Sequence, residues 1–408
     1  QISKPYLSTS GNFLAYGMSD GNACVTCSCT DHRKLIFKSQ LVDHYLTEPI
    51  VKTIMYVTKP LSMYRTYPSA LSLSPPEGPN SGILVIQDDE TEPTCCFGLV
   101  KSTDYIGAQP FPQNKDLEVL FPDGDFTECT HVLFIPVLNQ PLSSKQYYVI
   151  QRKWKHKGSI YQRFQIRQIK WGSFVAKSVA SDGLPPKFLR RDGWELAAST
   201  PKEFQLSEAP GLNMALRARL PDFSFPLSQS CSEAVKVGKW YCPFMFIKEG
   251  KTLEDQMRNS TYYEMTLEQQ WEQIFACEST YNEDNTVSVD VAVKCQVVKI
   301  AGTEAVYDQK IVAGGVMWFR SVSDVERETN VGLGLEIVER MRWEQERVGW
   351  AGDRQVSVKR TEEFDGKGEW RKFGCYVLVE RFALKRMDGN VVLTFDFRHP
   401  LQIRSKWE

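Results

Sequence analysis

The sequence predicts an α+β protein in which antiparallel strands predominate and two or more amphipathic helices pack on the sheets. Three observations lead to this fold class: short apolar runs separated by turn residues before residue 151, a two-residue alternation at 287–297, and two helical apolar stripes in the C-terminal half. Elements with one apolar face bury it by packing in layers. The 408 residues are 42% hydrophobic and 24% charged, which excludes a wholly disordered chain.

Residues 55–151 are predicted to be rich in strands. The candidate strands lie at 83–86, 96–100, 131–138 and 147–150. Segments rich in proline and glycine separate them and favour tight turns. Basic and aromatic strands continue this region to about residue 194.

Two amphipathic helices are predicted in the C-terminal half. The first begins with a capping box at Thr266 and Gln269, and the second covers about 333–348. In each, apolar residues recur with the helical period. The stripes consist of Leu267, Trp271, Ile274 and Phe275 in the first helix and of Leu335, Val338 and Met341 in the second.

Strands are predicted after each helix. Residues 287–297 are apolar at every odd position, which indicates a strand with one covered face. A shorter strand at 355–358 precedes a long hairpin, whose strands at 376–386 and 391–397 flank an Asp-Gly turn.

Repeated tripeptides suggest an internal duplication in this half of the chain. Trp-Glu-Gln occurs at 271–273 and 343–345, and Val-Ser-Val follows at 287–289 and 356–358. Two ordered matches in equivalent predicted elements favour a divergent duplication, and the alternative is two unrelated amphipathic helices.

The predicted domain organisation has four parts. Residues 1–54 are interpreted as an upstream extension or a gene-prediction artefact outside the fold, because all ten tryptophans lie after them and Met55 offers a natural start. A β-rich domain at 55–200 and an α+β domain at 231–408 are joined by a linker at 201–230, which is rich in proline and serine.

Charge and cysteine content bound the partners and the compartment. Forty-nine basic residues balance 50 acidic ones, so there is no strong nucleic-acid signal. The eleven cysteines show no regular framework, which favours a reducing compartment. No apolar run is long enough to span a bilayer, and we expect a cytoplasmic or nucleocytoplasmic protein.

The motifs that carry chemistry are incomplete. Cys24, Cys27, Cys29 and His32 have a zinc-like spacing but no second ligand pair nearby, and the Gly-x-Ser-x-Gly pattern at 17–21 is not followed by an amphipathic helix. His131 and His399 are interpreted as structural residues. The sequence therefore predicts no catalytic residue, cofactor or metal site.

One loop is the predicted contact surface. Residues 181–191 present the charged residues Asp182, Lys187, Arg190 and Arg191 beside two prolines. A stiff charged segment of this kind suits a partner. The alternative is a proline-stiffened connection whose arginines pair with acidic residues of the same chain.

Five segments resemble a plant protein family catalogued only as a domain of unknown function, some of whose members carry a crystal-toxin-like label. They lie at 55–90, 178–191, 240–244, 262–273 and 396–399. The resemblance implies a plant source and a folded intracellular protein. It supplies no catalytic residues, and its toxin label adds pore formation to the functions to be weighed.

Three functions follow from these observations. The first is a non-enzymatic protein that binds a protein or small-molecule partner, since no catalytic motif is complete. The second is a membrane-acting defence protein of pore-forming type, based on the alternating strand at 287–297. The third is an enzyme with an unrecognised site, because catalytic residues often come from distant parts of a chain.

Overall fold

The computed structural model divides the chain into Gln1–Val51 and Lys52–Glu408, and everything described below belongs to the second unit. The predicted extension at 1–54, the cysteine cluster at 24–32 and the serine pattern at 17–21 lie outside the described residues. These are 55–75, 81–92, 94–95, 97, 100–101, 109–123, 126–153, 157–170, 172–181, 183–199, 205–279, 285–322, 328–350, 352, 355–366 and 369–408.

The described part of the chain forms helices and strands that are numbered here in chain order. The helices are α1 (Leu61–Thr66), α2 (Lys187–Arg190), α3 (Met214–Arg219), α4 (Leu253–Asn259) and α5 (Leu335–Glu346). The strands are β1 (Met55–Pro60), β2 (Ser81–Ile86), β3 (Thr94–Cys95), β4 (Val100–Lys101), β5 (Asp116–Asp123), β6 (Phe126–Pro136), β7 (Gln146–Gln151), β8 (Ile160–Lys170), β9 (Ser173–Ser178), β10 (Trp194–Ser199), β11 (Gly211–Leu212), β12 (Val235–Pro243), β13 (Ile247–Lys248), β14 (Tyr262–Glu278), β15 (Thr286–Lys294), β16 (Gln296–Ile300), β17 (Thr303–Glu304), β18 (Val306–Ala313), β19 (Val316–Val322), β20 (Glu328–Gly334), β21 (Gln355–Glu363), β22 (Lys372–Arg386) and β23 (Val391–Trp407).

The strands form one large sheet, one barrel and three smaller sheets. The large sheet has nine strands in the order β17-β16-β23-β22-β14-β12-β1-β2, with β11 beside β12. The barrel closes as β10-β5-β6-β7-β8-β9. A four-stranded sheet runs β13-β20-β19-β18, and β15-β21 and β3-β4 form two-stranded ribbons.

The α+β prediction is wrong, because the protein is mostly β, at 54% strand and 17% helical. Among the described helices α5 has twelve residues and the others have seven or fewer, so only α5 presents an extended amphipathic face to a sheet. None of these helices combines the length and apolarity needed to cross a bilayer.

The predicted helix at 266–275 is the middle of β14. This strand pairs with β12 on one side and β22 on the other. Leu267 and Trp271 share a face in either structure, because a spacing of four residues fits both periods. Phe275 follows a register shift and packs in a different cluster from Trp271. Ile274 fits only the helical period, and it is left out of the pairing with β22 where the register shifts. Hydrogen bonding to two neighbouring strands therefore overrides the local pattern.

The prediction of an internal duplication is also wrong. The first Trp-Glu-Gln lies in β14 and the second in α5, so the same tripeptide forms a strand in one place and a helix in the other. The two Val-Ser-Val segments lie in β15 and β21, which pair with each other. They lie at different positions of one two-stranded ribbon, so they do not occupy equivalent places in two repeats.

Two C-terminal elements match their predictions closely. Helix α5 falls within 333–348 and buries Val338 and Met341. The hairpin is β22 and β23, which extend beyond the predicted limits to residues 372 and 407. At its turn the Gly389 N–H donates to the Arg386 carbonyl oxygen (2.9 Å). Gly389 has φ +88°, a conformation that suits glycine.

The barrel has a core of its own. Alternation along its strands turns every second side chain inward. The inner aromatic rings of Phe111, Phe134 and Tyr147 lie 5.0–5.7 Å apart, and Trp194 stacks on Phe174 at 5.2 Å. These contacts fill the barrel interior, so it is a packed core rather than a channel.

Candidate functional site

A cleft of about 160 Å³ lies between α3, the end of α5 and one face of the large sheet. Part of the lining is exposed at its mouth, and part is buried at its floor. The exposed residues are Met214, Ala218, Val348 and Gln402. The more deeply placed residues are Arg217, Leu220, Gln269, Leu378, Glu380 and His399.

Strand register brings the floor residues together. Gln269 on β14 is directly opposite Glu380 on β22, and Leu378 on β22 is opposite His399 on β23. Leu378 and Glu380 are two residues apart and therefore point to the same side. Helix α3 covers this face and adds Arg217. Its N-cap is Asn213, whose side chain accepts a hydrogen bond from the Leu216 N–H (3.0 Å).

Glu380 is the centre of a buried hydrogen-bond network. Arg217 donates to it through Nε (2.8 Å) and Nη2, Gln269 Nε2 donates at 2.8 Å and Gln345 Nε2 at 2.7 Å. A second buried carboxylate, Glu344, accepts from Arg340 Nη2 (3.0 Å). These groups are at most 4% exposed, so their charges depend on one another for compensation.

The buried charges of the network balance. Arg217 and Arg340 are the buried cations, and Glu344 and Glu380 are the buried anions. Arg347, which is partly exposed, also donates to Glu344 Oε2 (3.3 Å). Burial alone raises the pKa of Glu380, but the hydrogen bonds and charge of Arg217 outweigh it and hold this pKa below its usual value. Glu380 is therefore a carboxylate at neutral pH.

His399 is a neutral ring whose tautomer is set by Gln345. Burial lowers the pKa of His399, the charge of Glu380 raises it in part, and Arg217 lowers it further. Gln345 donates through Nε2 to Glu380, so its Oε1 is the acceptor that faces His399 Nε2 at 2.9 Å. His399 must then donate from Nε2, which leaves Nδ1 as the acceptor of the ring.

Two polar atoms of the lining residues make no hydrogen bond within the described part of the chain. They are Gln269 Oε1, an acceptor, and Arg217 Nη1, a donor that forms an ion pair with Glu344 Oε2 at 3.6 Å. Both atoms are shielded from bulk water. A buried polar atom without a partner is unfavourable, and it marks a place where a bound group would be stabilised.

The wall of the cleft includes a strained residue. Leu220 follows α3 with φ +60° and ψ 157°, a region that side-chain-bearing residues rarely adopt. The next residue, Pro221, accepts a hydrogen bond from Trp271 Nε1 (3.0 Å). Packing on Trp271 thus holds the chain in a conformation that places Leu220 against the cleft.

The loop predicted to contact partners lies apart from the cleft lining. Asp182 lies outside the described residues. Lys187 and Arg190 are exposed on α2, and Arg190 Nε donates to the Pro185 carbonyl oxygen (2.7 Å). The Arg191 guanidinium carbon lies 4.8 Å from the centre of the Phe121 ring. Partner binding by this loop stays a prediction.

Two predicted structural residues have defined places. His399 is hydrogen-bonded, as expected, and also lines the cleft. His131 lies in the middle of β6 rather than at its start. The sequence reading missed Arg217, Gln269 and Glu380. Only Glu380 gives a signal, since it is a carboxylate within the otherwise apolar centre of a predicted strand.

Comparison with known proteins gives one family. Residues 77–169 match the profile of a family described as "Protein of unknown function (DUF1262)". This confirms the expected resemblance to a domain of unknown function, over β2 to β8. No curated protein matches the chain. Among solved structures, the crystal structure of Cry35Ab1 is similar with a TM-score of 0.38 and 11% identity, over 73% of this chain and 90% of that one.

Proposed function

We propose that this protein binds a small neutral molecule, mainly apolar and with one hydroxyl group, in the cleft beneath α3. The observation that carries the proposal is the combination of apolar walls with two lining residues, Gln269 and Arg217, that each have a polar atom without a hydrogen bond. Ligand sites in proteins are commonly apolar pockets with a few placed polar groups. The apolar walls are Met214, Ala218, Leu220, Val348 and Leu378.

The size of the cleft limits the ligand to about one ring. An apolar cavity of about 150 Å³ accommodates benzene, and this cleft has about 160 Å³. A hydroxyl group both donates and accepts, so one hydroxyl at the floor would satisfy Gln269 Oε1 as a donor and Arg217 Nη1 as an acceptor once these shielded groups turn toward the cleft.

The charge balance favours a neutral ligand. Two arginines and two glutamates already compensate each other under the cleft, and His399 is neutral. A charged ligand would lose its hydration without gaining a free counter-charge there.

Isothermal titration calorimetry with three ring compounds tests this chemistry. Phenol should bind with a dissociation constant of roughly millimolar or tighter. Toluene, which lacks the hydroxyl, and benzoate, which adds a charge, should each bind at least about tenfold more weakly. Tighter binding of benzoate than of phenol would contradict a neutral ligand.

Two variants that replace an alanine of α3 with phenylalanine test where phenol binds. Ala218→Phe places a ring in the mouth of the cleft and should weaken phenol binding at least about tenfold. Ala215 is also exposed on α3 but does not line the cleft, so Ala215→Phe should bind phenol like the parent protein. Equal phenol binding by both variants would place the ligand elsewhere.

Pore formation receives less support from the ribbon of β15 and β21. One face of β15 carries Val287 and Val289, as the predicted strand requires. Opposite these valines, however, β21 presents Glu362 and Arg360. An insertable hairpin needs apolar residues on the same face of both strands, which β21 lacks at these positions.

A further inference from the structure

Three metal-ligand side chains meet on the outer face of the barrel, away from the cleft. Glu118 lies on β5, and Cys129 and His131 lie on β6. Glu118 is directly opposite His131, and Cys129 is two residues before it. Because strand side chains alternate, all three point to the same side, while Leu117, Val119 and Thr130 point inward.

The ligand atoms of this cluster have the separations of a zinc site. His131 Nδ1 lies 3.2 Å from Glu118 Oε1, and Cys129 Sγ lies 3.8 Å from Glu118 Oε2. One ligand atom from each residue can be chosen so that all lie within 4.8 Å of one another. A tetrahedral Zn²⁺ ion about 2.0–2.3 Å from each ligand holds them about 3.3–3.7 Å apart.

A second observation is that His131 Nδ1 lacks a hydrogen bond. This atom is shielded from solvent, and although it lies 3.2 Å from Glu118 Oε1 it makes no hydrogen bond within the described residues. The other ring nitrogen, Nε2, lies 3.3 Å from Lys153 Nζ. Lys153 is exposed, so it is free to turn away when Nε2 carries the proton and Nδ1 offers its lone pair to a metal.

We propose that Glu118, Cys129 and His131 bind a divalent transition-metal ion, with Zn²⁺ as the best fit. Thiolate, imidazole and carboxylate together match the ligand preference of zinc, and a thiolate disfavours Mg²⁺ and Ca²⁺. Binding releases the thiol proton of Cys129 to solvent. Three protein ligands leave the fourth tetrahedral position to water, which is the arrangement of an open zinc site.

Cobalt titration of the full-length protein tests the site, because Co²⁺ bound to a thiolate absorbs by charge transfer. The cysteines at 24, 27 and 29 are replaced by serine first, so that this sequence cluster contributes no signal. This triple-serine variant should bind one equivalent of Co²⁺ and show a charge-transfer band. Zn²⁺ should displace the bound Co²⁺. Absence of a stoichiometric, zinc-displaceable band would overturn the proposal.

Variants in the same background assign the ligands. Cys129→Ser should abolish the charge-transfer band, and His131→Gln and Glu118→Gln should each weaken Co²⁺ binding at least about tenfold. Cys231→Ser is the matched control, since Cys231 is also partly buried but lies outside the cluster. Circular dichroism of each variant checks that it is folded. A folded Cys129→Ser variant with an unchanged band would overturn the proposal.

Discussion

At the scale of single residues, Glu380 shows how a buried charge is made tolerable. It accepts hydrogen bonds from Arg217, Gln269 and Gln345, so its oxygens are satisfied although it is 1% exposed. Removing one partner of such a buried pair costs about 3–5 kcal/mol, because the other charge stays buried without compensation. The exposed pair of Lys359 and Asp290, at 3.0 Å, is screened by solvent and contributes little to stability.

The pKa of His399 makes stability depend on pH, which gives a first prediction. Its pKa is lowered in the folded protein, mainly by burial, while the unfolded chain has the ordinary value of about 6.5. At pH values between the folded and unfolded pKa of His399, the unfolded state binds more protons than the folded state. The free energy of unfolding therefore falls as the pH drops below about 6.5. The stabilising contribution of neutral His399 is complete above that pH.

Substitution of His399 measures this contribution. His399→Gln keeps a donor for Gln345 and cannot be protonated, so its free energy of unfolding should depend less on pH than that of the parent protein. Urea unfolding at pH 7.5, 6.5 and 5.5 checks it. The control variant is His131→Gln, which keeps His399. Its free energy of unfolding should therefore still include the decrease that His399 causes at low pH. Parallel curves for the parent and His399→Gln would contradict the assignment.

At the same scale, the sequence could identify the candidate chemistry only in part. A glutamate within an apolar strand is visible in one sequence, but its partner Arg217 lies 163 residues away. The local pattern predicts a helix cap at Gln269, whereas pairing of β14 with β22 makes this residue a neighbour of Glu380. Cross-strand contacts of this range depend on strand order, which local patterns do not specify.

At the scale of elements, the predictions are correct where the spacing of apolar residues fits only one type of secondary structure. They are wrong where the spacing fits both a helix and a strand. The alternation at 287–297 predicts one strand, and the structure divides it between β15 and β16, which lie in different sheets. The Asp-Gly pair predicts a hairpin, and the hairpin is present with four residues between its strands. The spacing of Leu267 and Trp271 fits a helix and a strand equally. Long-range pairing decides such cases, since a central strand gains hydrogen bonds on both edges.

The hairpin turn gives a second prediction. Gly389 has φ +88°, and a Cβ built there meets no atom within 4 Å. Gly389→Ala should therefore lower the free energy of unfolding by about 1–2 kcal/mol through backbone strain alone. Gly389→Asn should lower it less, because asparagine tolerates left-handed backbone. Urea unfolding of both variants measures the order.

Gly374 provides the contrasting control in the same hairpin. A Cβ there would lie 2.4 Å from Leu227 Cδ2, so Gly374→Ala destabilises through a steric clash. Adding Leu227→Ala should partly relieve Gly374→Ala and should leave the effect of Gly389→Ala unchanged. If Leu227→Ala also reduced the destabilisation caused by Gly389→Ala, local backbone strain would not explain the effect of Gly389→Ala.

At the scale of the whole molecule, the described structure contains two large hydrogen-bonded systems. The barrel closes on itself between residues 116 and 199, whereas the large sheet combines β1 and β2 with strands after residue 211. They meet through contacts such as the hydrogen bond from Tyr56 Oη to the Pro136 carbonyl oxygen (2.8 Å). No strand ladder joins them within the described residues, so we expect the barrel to open without the sheet.

Hydrogen exchange followed by mass spectrometry tests this third prediction with two matched core variants. Phe134 and Phe382 are both fully buried, the first in the barrel and the second in the large sheet. Phenylalanine-to-alanine substitution in a core costs about 3–5 kcal/mol. Phe134→Ala should speed amide exchange in β5 to β10 and leave β22 and β23 protected. Phe382→Ala should do the reverse, because each cavity weakens only the ladder packed around it. Equal acceleration in both regions by either variant would mean that barrel and sheet unfold as one cooperative unit.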